Sequence, residues 1–109
     1  MTIAGSDSGG GAGIQADIKS ISATGSYAAS AITAVTVQNT LGVEAVHPVP
    51  TDIIVAQIRA VLSDIGADAV KIGMLNSAEV VLAVRDALLQ AMEEGWIMPA
   101  ASVAGSADA

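Results

Sequence analysis

The chain has 109 residues, of which 52% are hydrophobic and 14% are charged. This composition is too apolar for a disordered chain and supplies a core for one small globular domain. Lysine and arginine number 4 against 11 aspartate and glutamate residues, which gives a net charge of −7. Because the few cations are scattered along the sequence, nucleic-acid binding is disfavoured.

The cysteine count limits the chemistry further. Without any cysteine, the chain has no disulfide framework, no thiolate metal site and no cysteine nucleophile. No apolar stretch approaches the roughly 18 residues that a membrane helix needs, and the first residues lack the pattern of a signal peptide. We therefore expect a cytoplasmic protein with no membrane partner.

The first part of the chain alternates between strand and helix patterns. Residues 1–4 form the end of an apolar strand, and a loop with five glycines covers residues 5–13. An amphipathic helix with isoleucines at helical spacing begins at Ile14, and Gly25 ends it. The uncharged run at residues 28–37 predicts a strand that is buried on both faces.

The middle of the chain predicts a strand followed by a helix. Residues 43–49 alternate as a strand does, and Pro48 places that strand at a sheet edge. Thr51 is expected to cap the helix that follows. The apolar residues of this helix repeat at helical spacing, as Ile54, Ile58, Val61 and Ile65.

A short strand and a third helix come next. Residues 69–74 have the apolar composition of a strand, and Asn76 with Glu79 resembles a capping box. The helix is expected to end near Met92. Its predicted buried face consists of Val80, Val84, Ala87 and Leu88.

This order of elements predicts the fold class. Strands that alternate with helices are typical of an α/β fold, here with a mainly parallel, Rossmann-like sheet and flanking helices. We expect this domain to cover residues 1–94. After Gly95 the sequence loses its periodicity and becomes small and polar, so residues 95–109 are expected to form an irregular tail.

The glycine-rich loop at residues 5–13 is the strongest functional signal. Glycine lets a backbone approach a ligand closely, and N–H groups at a helix start attract anions or polar rings, although a plain tight turn is the alternative. A Walker phosphate loop is excluded because Ile-Gln follows Gly13 where that motif needs lysine and a hydroxyl residue. The spacing from Gly11 to Ala16 fits a dinucleotide fingerprint only weakly, since no acidic residue ends the next strand.

Further candidate residues lie near strand ends. Asp17 either stabilises the helix dipole from the first turn or binds a ligand held by the loop. Gln38 follows the second strand, where ligands bind in open α/β sheets, and its amide suits the edge of a heterocycle; a polar turn residue is the alternative. Met74 either packs on a flat ring or fills the core. Lys71 is interpreted as an edge or snorkelling residue.

Taken together, several segments resemble the hydroxymethylpyrimidine/phosphomethylpyrimidine kinases of thiamine biosynthesis, in the ribokinase-like superfamily. They are TIAGSDSGGGAGIQAD at residues 2–17, TVQNT at residues 36–40 and KIGML at residues 71–75. Their order and spacing agree with the family over roughly residues 2–90. The resemblance implies ATP-dependent phosphorylation of the pyrimidine's hydroxymethyl group, and then of the resulting phosphate ester.

The resemblance also implies roles for individual residues. Gln38 would bind the pyrimidine edge, Gly5 and Ala12 would line the pocket, Asp17 would hold polar groups of the pyrimidine, and Met74 would pack on the ring. ATP and Mg²⁺ are the implied cofactors. The small-molecule pyrimidine is the implied partner.

The family's kinases are longer than this chain, and their catalytic residue and most ATP and Mg²⁺ contacts lie in the C-terminal half. We therefore expect an N-terminal part of such an enzyme, with no catalytic residue or metal ligand, that is inactive by itself. The alternative is a non-catalytic binding or assembly module. Such a module would be completed at an exposed sheet edge by a second copy, as a homo-oligomer, or by another chain.

Overall fold

The computed structural model describes residues 1–97 and 102–105. The strands are β1 (Thr2–Asp7), β2 (Ser30–Asn39), β3 (Gly42–Pro48), β4 (Ala69–Ile72) and β5 (Ser102–Gly105). The helices are α1 (Gly13–Ala23), α2 (Thr51–Asp64) and α3 (Ala78–Glu93). The strands form one sheet in the order β3-β2-β1-β4-β5, and every neighbouring pair is parallel except β2 with β3. The predicted α/β class with a mainly parallel sheet is confirmed.

Strand β1 lies inside the sheet, and its side chains alternate between the two faces. Ile3 is fully buried in the main core, together with apolar residues of α2 and α3. Thr2 points to the opposite face, where its hydroxyl donates to Asp17 of α1 at 2.6 Å. Helix α1 therefore covers one face of the sheet, and α2 and α3 cover the other.

The path of the chain reverses direction across the sheet at β1. Helix α1 leads from β1 to β2 on one side, whereas α2 returns the chain to β4 on the other side. In an open α/β sheet this arrangement opens a crevice at the carboxyl ends of the strands. The segment after β1, the end of β2 and the segment after β4 therefore lie along one edge.

The two predicted helix caps are each wrong by one residue. Pro50 occupies the N-cap position of α2, and the Thr51 hydroxyl donates to Glu79 at 3.1 Å instead of capping its own helix. In α3 the cap is Ser77 rather than Asn76, and its hydroxyl accepts the N–H three residues on at 3.2 Å. The fixed φ of proline suits the start of α2, and a serine oxygen satisfies a free N–H of α3.

The buried stripe of α2 differs from the predicted one. Ile54 and Ile58 are fully buried as expected, but Leu62 completes the stripe and Ile65 is 55% exposed. Leu62 continues the four-residue spacing, whereas Ile65 follows the last helical residue. The predicted buried residues of α3 are confirmed, namely Val80, Val84, Ala87 and Leu88. In the described part of the chain, no helix is long and apolar enough to cross a membrane.

The structure differs from the irregular tail predicted after Gly95. Ile97 is buried in the main core, and Arg59 lies over the Trp96 ring at 5.6 Å. Strand β5 then pairs in parallel with β4. Unpaired backbone groups at the edge of β4 bind a short segment without any side-chain periodicity, which explains why the sequence pattern missed it. Residues 98–101 and 106–109 of the predicted tail lie outside the described residues.

The close approach of Gly13, the first residue of α1, to β1 can be tested by substitution. Its φ is +59°, and a β carbon there would overlap the carbonyl oxygen of Gly5. Gly13→Ala imposes a left-handed backbone on alanine and pushes the start of α1 away from β1. We expect the free energy of unfolding to fall by about 2 kcal/mol, measured by urea denaturation followed by circular dichroism.

Gly11→Ala is the matched control, because it makes the same substitution in the same loop. No atom lies within 4 Å of a β carbon built at Gly11, and its φ is not positive. Its free energy of unfolding should change by less than about 0.5 kcal/mol. Equal losses in the two variants would show that the steric argument for Gly13 is incorrect.

Candidate functional site

Two of the predicted site residues, Gly5 and Ala12, lie in the segment where β1 leads into α1. Gly5 lies in β1 rather than in the loop, because β1 continues its pairing with β2 as far as Asp7 opposite Thr36. The connection from β1 to α1 is therefore shorter than predicted. Ala12 takes the N-cap position of α1 with an extended backbone, and its side chain is exposed.

Asp7, the last residue of β1, organises this connection. Its side chain is buried at 6% exposure and accepts the backbone N–H groups of Gly9 at 2.7 Å, Gly11 at 3.0 Å and Ala12 at 2.9 Å. Asp7 is not among the site residues predicted from the sequence. The available signal was an aspartate just before a glycine-rich segment, since such carboxylates bond to backbone groups a few residues on.

Gln15 joins α1 to the end of β1. Its side-chain oxygen accepts the N–H of Asp7 at 2.8 Å, and its side-chain nitrogen donates to the hydroxyl of Ser6 at 2.7 Å. The start of α1 and the end of β1 are thus bonded directly as well as through the loop.

Gln38 lies within β2, at the point where the register with β3 shifts. Ser8 holds its backbone on both sides, since the Ser8 hydroxyl donates to the Gln38 carbonyl at 2.5 Å and accepts the Gln38 N–H at 2.7 Å. The Gln38 side-chain oxygen is 3.2 Å from the Thr36 hydroxyl, which is also 2.8 Å from the Ser6 carbonyl. One hydroxyl proton serves only one of these acceptors well, so the Gln38 amide retains hydrogen-bonding capacity for a ligand.

Met74 follows β4 at the same edge and is 68% exposed. The alternative that it fills the core is therefore wrong. The preceding Gly73 lets β4 approach β1 closely, because a β carbon there would lie 2.7 Å from the Ala4 β carbon. The thioether of Met74 is consequently available at the surface, just after the end of β4.

Asp17 lies deeper than these residues, on the α1 face of the sheet. It is not in the first turn of α1, so the helix-dipole interpretation is wrong. Its Oδ2 accepts from the Thr2 hydroxyl at 2.6 Å and from Lys71 Nζ at 3.1 Å. The ammonium of Lys71 reaches beneath the end of β4, 3.6 Å from where a Gly73 β carbon would stand.

Both contacts of Asp17 use Oδ2, and the carboxylate side chain keeps 16% exposure. Among the described residues, Oδ1 receives no side-chain donor and is free to accept a hydrogen bond from a ligand. Lys71 is neither an edge residue nor a free snorkelling residue, because β4 lies between β1 and β5 and its ammonium pairs with Asp17.

A cavity of about 640 Å³ lies at the opposite, amino-terminal edge of the sheet. Met1, Tyr27 and Asp68 line this cavity. Lys71 also lines it, but the residues that the sequence predicts to bind a ligand do not. The Met1 amine donates to the Ala69 carbonyl at 2.9 Å, and burial lowers the pKa of this amine although Asp68 opposes the shift. The candidate site is therefore the carboxyl edge, where polar side chains converge at the point of reversal.

Comparisons with known proteins agree with this geometry. A family model described as phosphomethylpyrimidine kinase matches residues 7–107. The hydroxymethylpyrimidine/phosphomethylpyrimidine kinase of Rhizobium meliloti is 52% identical over 109 residues, which are 100% of this chain and 41% of that protein.

Solved structures give the same result. Phosphomethylpyrimidine kinase from Clostridium difficile 630 has a TM-score of 0.80 and 56% identity, and the match covers 82% of this chain and 38% of that one. Pyridoxal kinase from Staphylococcus aureus in complex with AMP-PCP and pyridoxal has a TM-score of 0.73 and 37% identity, with 82% and 33% covered.

The chain spans between 33% and 41% of the length of these three proteins. Within that span the matches confirm the predicted ribokinase-like fold and the resemblance seen in the glycine-rich segment and the two strand ends. The family-model match extends over nearly the whole chain, including β5. The chain belongs to the phosphomethylpyrimidine kinase family.

Proposed function

We propose that this chain supplies the acceptor-binding part of a kinase that phosphorylates 4-amino-5-hydroxymethyl-2-methylpyrimidine and its monophosphate in thiamine biosynthesis. The observation that carries the proposal is that Gln38, Met74 and the glycine-rich loop all lie along the carboxyl edge of the sheet. The names of its relatives, which are kinases of hydroxymethylpyrimidine and its phosphate, supply the substrate class.

The chemistry of an aminopyrimidine suits these side chains. Its amino group donates a hydrogen bond, and the adjacent ring nitrogen accepts one. The Gln38 amide offers the complementary acceptor and donor, and Ser8 fixes the backbone that carries it. Met74 covers the ring face, while the backbone at Gly5 and Ala12 leaves room for the ring.

Asp17 has a different place in the proposal. Thr2 and Lys71 hold its Oδ2, which orients the carboxylate, and Oδ1 is the atom that would accept a hydrogen bond from the substrate's polar groups. A carboxylate held in this way needs no rearrangement when a ligand binds. Pre-oriented polar groups of this kind increase affinity because less side-chain motion is lost on binding.

ATP and Mg²⁺ are the cofactors of the proposed reaction, and ATP supplies the phosphoryl group that is transferred. The described residues do not fit either of them. Residues 1–97 and 102–105 contain no group of three or more acidic or histidine side chains that could hold a metal ion. The N–H donors of the glycine-rich loop already bind Asp7. We therefore assign the described residues to acceptor binding.

Gln38→Ala tests the proposal directly. The variant loses the amide that would form hydrogen bonds with the edge of the pyrimidine, while the backbone hydrogen bonds to Ser8 persist. We expect hydroxymethylpyrimidine to bind about tenfold more weakly or worse, because a ligand hydrogen bond is left without its partner. Isothermal titration calorimetry measures the affinity, and circular dichroism confirms that each variant folds.

Gln90→Ala is the control for this experiment. Gln90 is an exposed glutamine of α3 whose side chain bonds to Arg59 on the other side of the molecule from the loop. Its affinity for the pyrimidine should match the wild type. A folded wild-type chain that does not bind the pyrimidine, or equal affinities for the two variants, would contradict the proposal.

Met74→Ala separates a binding role from a packing role. Met74 is 68% exposed, so its truncation should change the free energy of unfolding by less than about 0.5 kcal/mol. The affinity for hydroxymethylpyrimidine should fall about fivefold through the lost sulfur–ring contact. Leu89→Ala, on a side chain of α3 that is 50% exposed, is the control and should leave the affinity unchanged. Unchanged affinity in Met74→Ala would remove Met74 from the site.

A second candidate function is a non-catalytic assembly module formed by two copies of the chain. The observation that favours it is a set of apolar side chains on β2, on β3 and in the turn between them that are each about half exposed or more. They are Val35, Val37, Leu41, Val43 and Val46. Strand β3 is an edge strand, and two antiparallel copies of it would form a twofold interface.

Sedimentation velocity at micromolar concentration tests this candidate. The wild-type chain should sediment as a dimer, and Val43→Lys should give a monomer because a charge would enter the apolar interface. Val81→Lys, at a position of α3 that is 48% exposed, should remain a dimer. A monomeric wild type would rule this assembly out.

A further inference from the structure

The glycine-rich loop between β1 and α1 has the composition of an anion-binding loop, yet its backbone N–H groups already donate to a side chain of the protein. The N–H groups of Gly9, Gly11 and Ala12 all donate to the Asp7 carboxylate. The N–H of Gly10 donates to the Asp7 carbonyl at 3.0 Å. The donors that surround a phosphate in other glycine loops therefore surround a carboxylate of the protein itself.

The charge in this loop is negative. Asp7 is 6% exposed, and no lysine or arginine of the described residues forms an ion pair with it. Lys19 lies nearby, but its ammonium donates to the carbonyl of Gly10 at 2.8 Å. Two anions repel each other, and the N–H groups that a phosphate would need already bind the carboxylate, so Asp7 opposes a phosphate at this position.

The same carboxylate belongs to the residue that precedes Ser8, and Ser8 holds the backbone of Gln38. Ser8 directly follows Asp7, and its hydroxyl bonds to both the carbonyl and the N–H of Gln38. The bonds of Asp7 to the residues after Ser8 close the loop around it. A loop that lost these bonds would no longer present the Ser8 hydroxyl to β2.

We infer that Asp7 is a positioning residue that closes the glycine-rich loop to phosphate and, through Ser8, fixes Gln38 for the uncharged ring of the acceptor. The inference rests on the proposed function, because the ring in question is the pyrimidine. It deepens that function by assigning selectivity to the loop. The loop receives the neutral end of the substrate, and phosphate groups bind elsewhere.

Nuclear magnetic resonance on the ¹⁵N-labelled chain tests the exclusion of phosphate. Titration of the wild type with inorganic phosphate should leave the N–H resonances of Gly9, Gly11 and Ala12 in place. In Asp7→Asn the charge is gone and donors are released, so the same resonances should shift and saturate. Saturable shifts of these resonances in the wild type would overturn the inference.

Calorimetry with hydroxymethylpyrimidine tests the positioning of Gln38. Asp7→Asn should bind the pyrimidine about tenfold more weakly, because charged hydrogen bonds that hold the loop are lost. Asp64→Asn, which removes one exposed carboxylate at the end of α2, should bind as the wild type does. Equal affinities of the two variants would overturn the positioning role.

The two measurements keep the inference separate from the proposed function. A wild-type chain that binds neither phosphate nor pyrimidine would contradict the proposed function. The same result would support the inference that the loop is closed to phosphate. A purely structural role for Asp7 would lower stability without any gain of phosphate binding in Asp7→Asn, and that result would overturn the inference. If circular dichroism shows that Asp7→Asn does not fold, the phosphate titration of the wild type decides.

Discussion

The rest of the candidate site depends on the hydrogen bonds that the Asp7 carboxylate accepts from the backbone. This carboxylate satisfies three backbone N–H groups of a glycine-rich segment that has little side-chain packing of its own. With that segment closed, Gly13 can begin α1 against the Gly5 carbonyl, and Ser8 can bond to the end of β2. A buried carboxylate surrounded by donors is well stabilised, because its hydrogen bonds are charge-assisted.

The reversal of the chain at β1 explains why the residues proposed to bind the acceptor lie along one edge of the sheet. Strands β1, β2 and β4 are neighbours in the sheet although the whole of α2 separates β2 from β4 in sequence. Their carboxyl ends therefore present the glycine-rich loop, Gln38 and Met74 together. The chain shares its fold with solved structures of which it spans about a third to two fifths.

Local pattern predicted most of the fold, and the misses have physical causes. Element order, the buried face of α3 and the edge position of β3 followed from periodicity and from Pro48. The pattern misplaced the last stripe residue of α2. The helix ends at Asp64, so Leu62 is still part of it and Ile65 is not. The pattern could not foresee β5, since that strand is held by backbone groups of β4 rather than by its own composition.

The sequence by itself determined the family, the α/β class and which residue types stand at the strand ends, because these depend on local spacing and on motifs read in order. The tertiary structure decided the partners of the polar groups. Asp17 binds Thr2 and Lys71, 54 positions away in the latter case, instead of the helix dipole. Met74 is exposed instead of buried. Such choices depend on which distant atoms come within hydrogen-bond or contact distance, and only the folded chain establishes those distances.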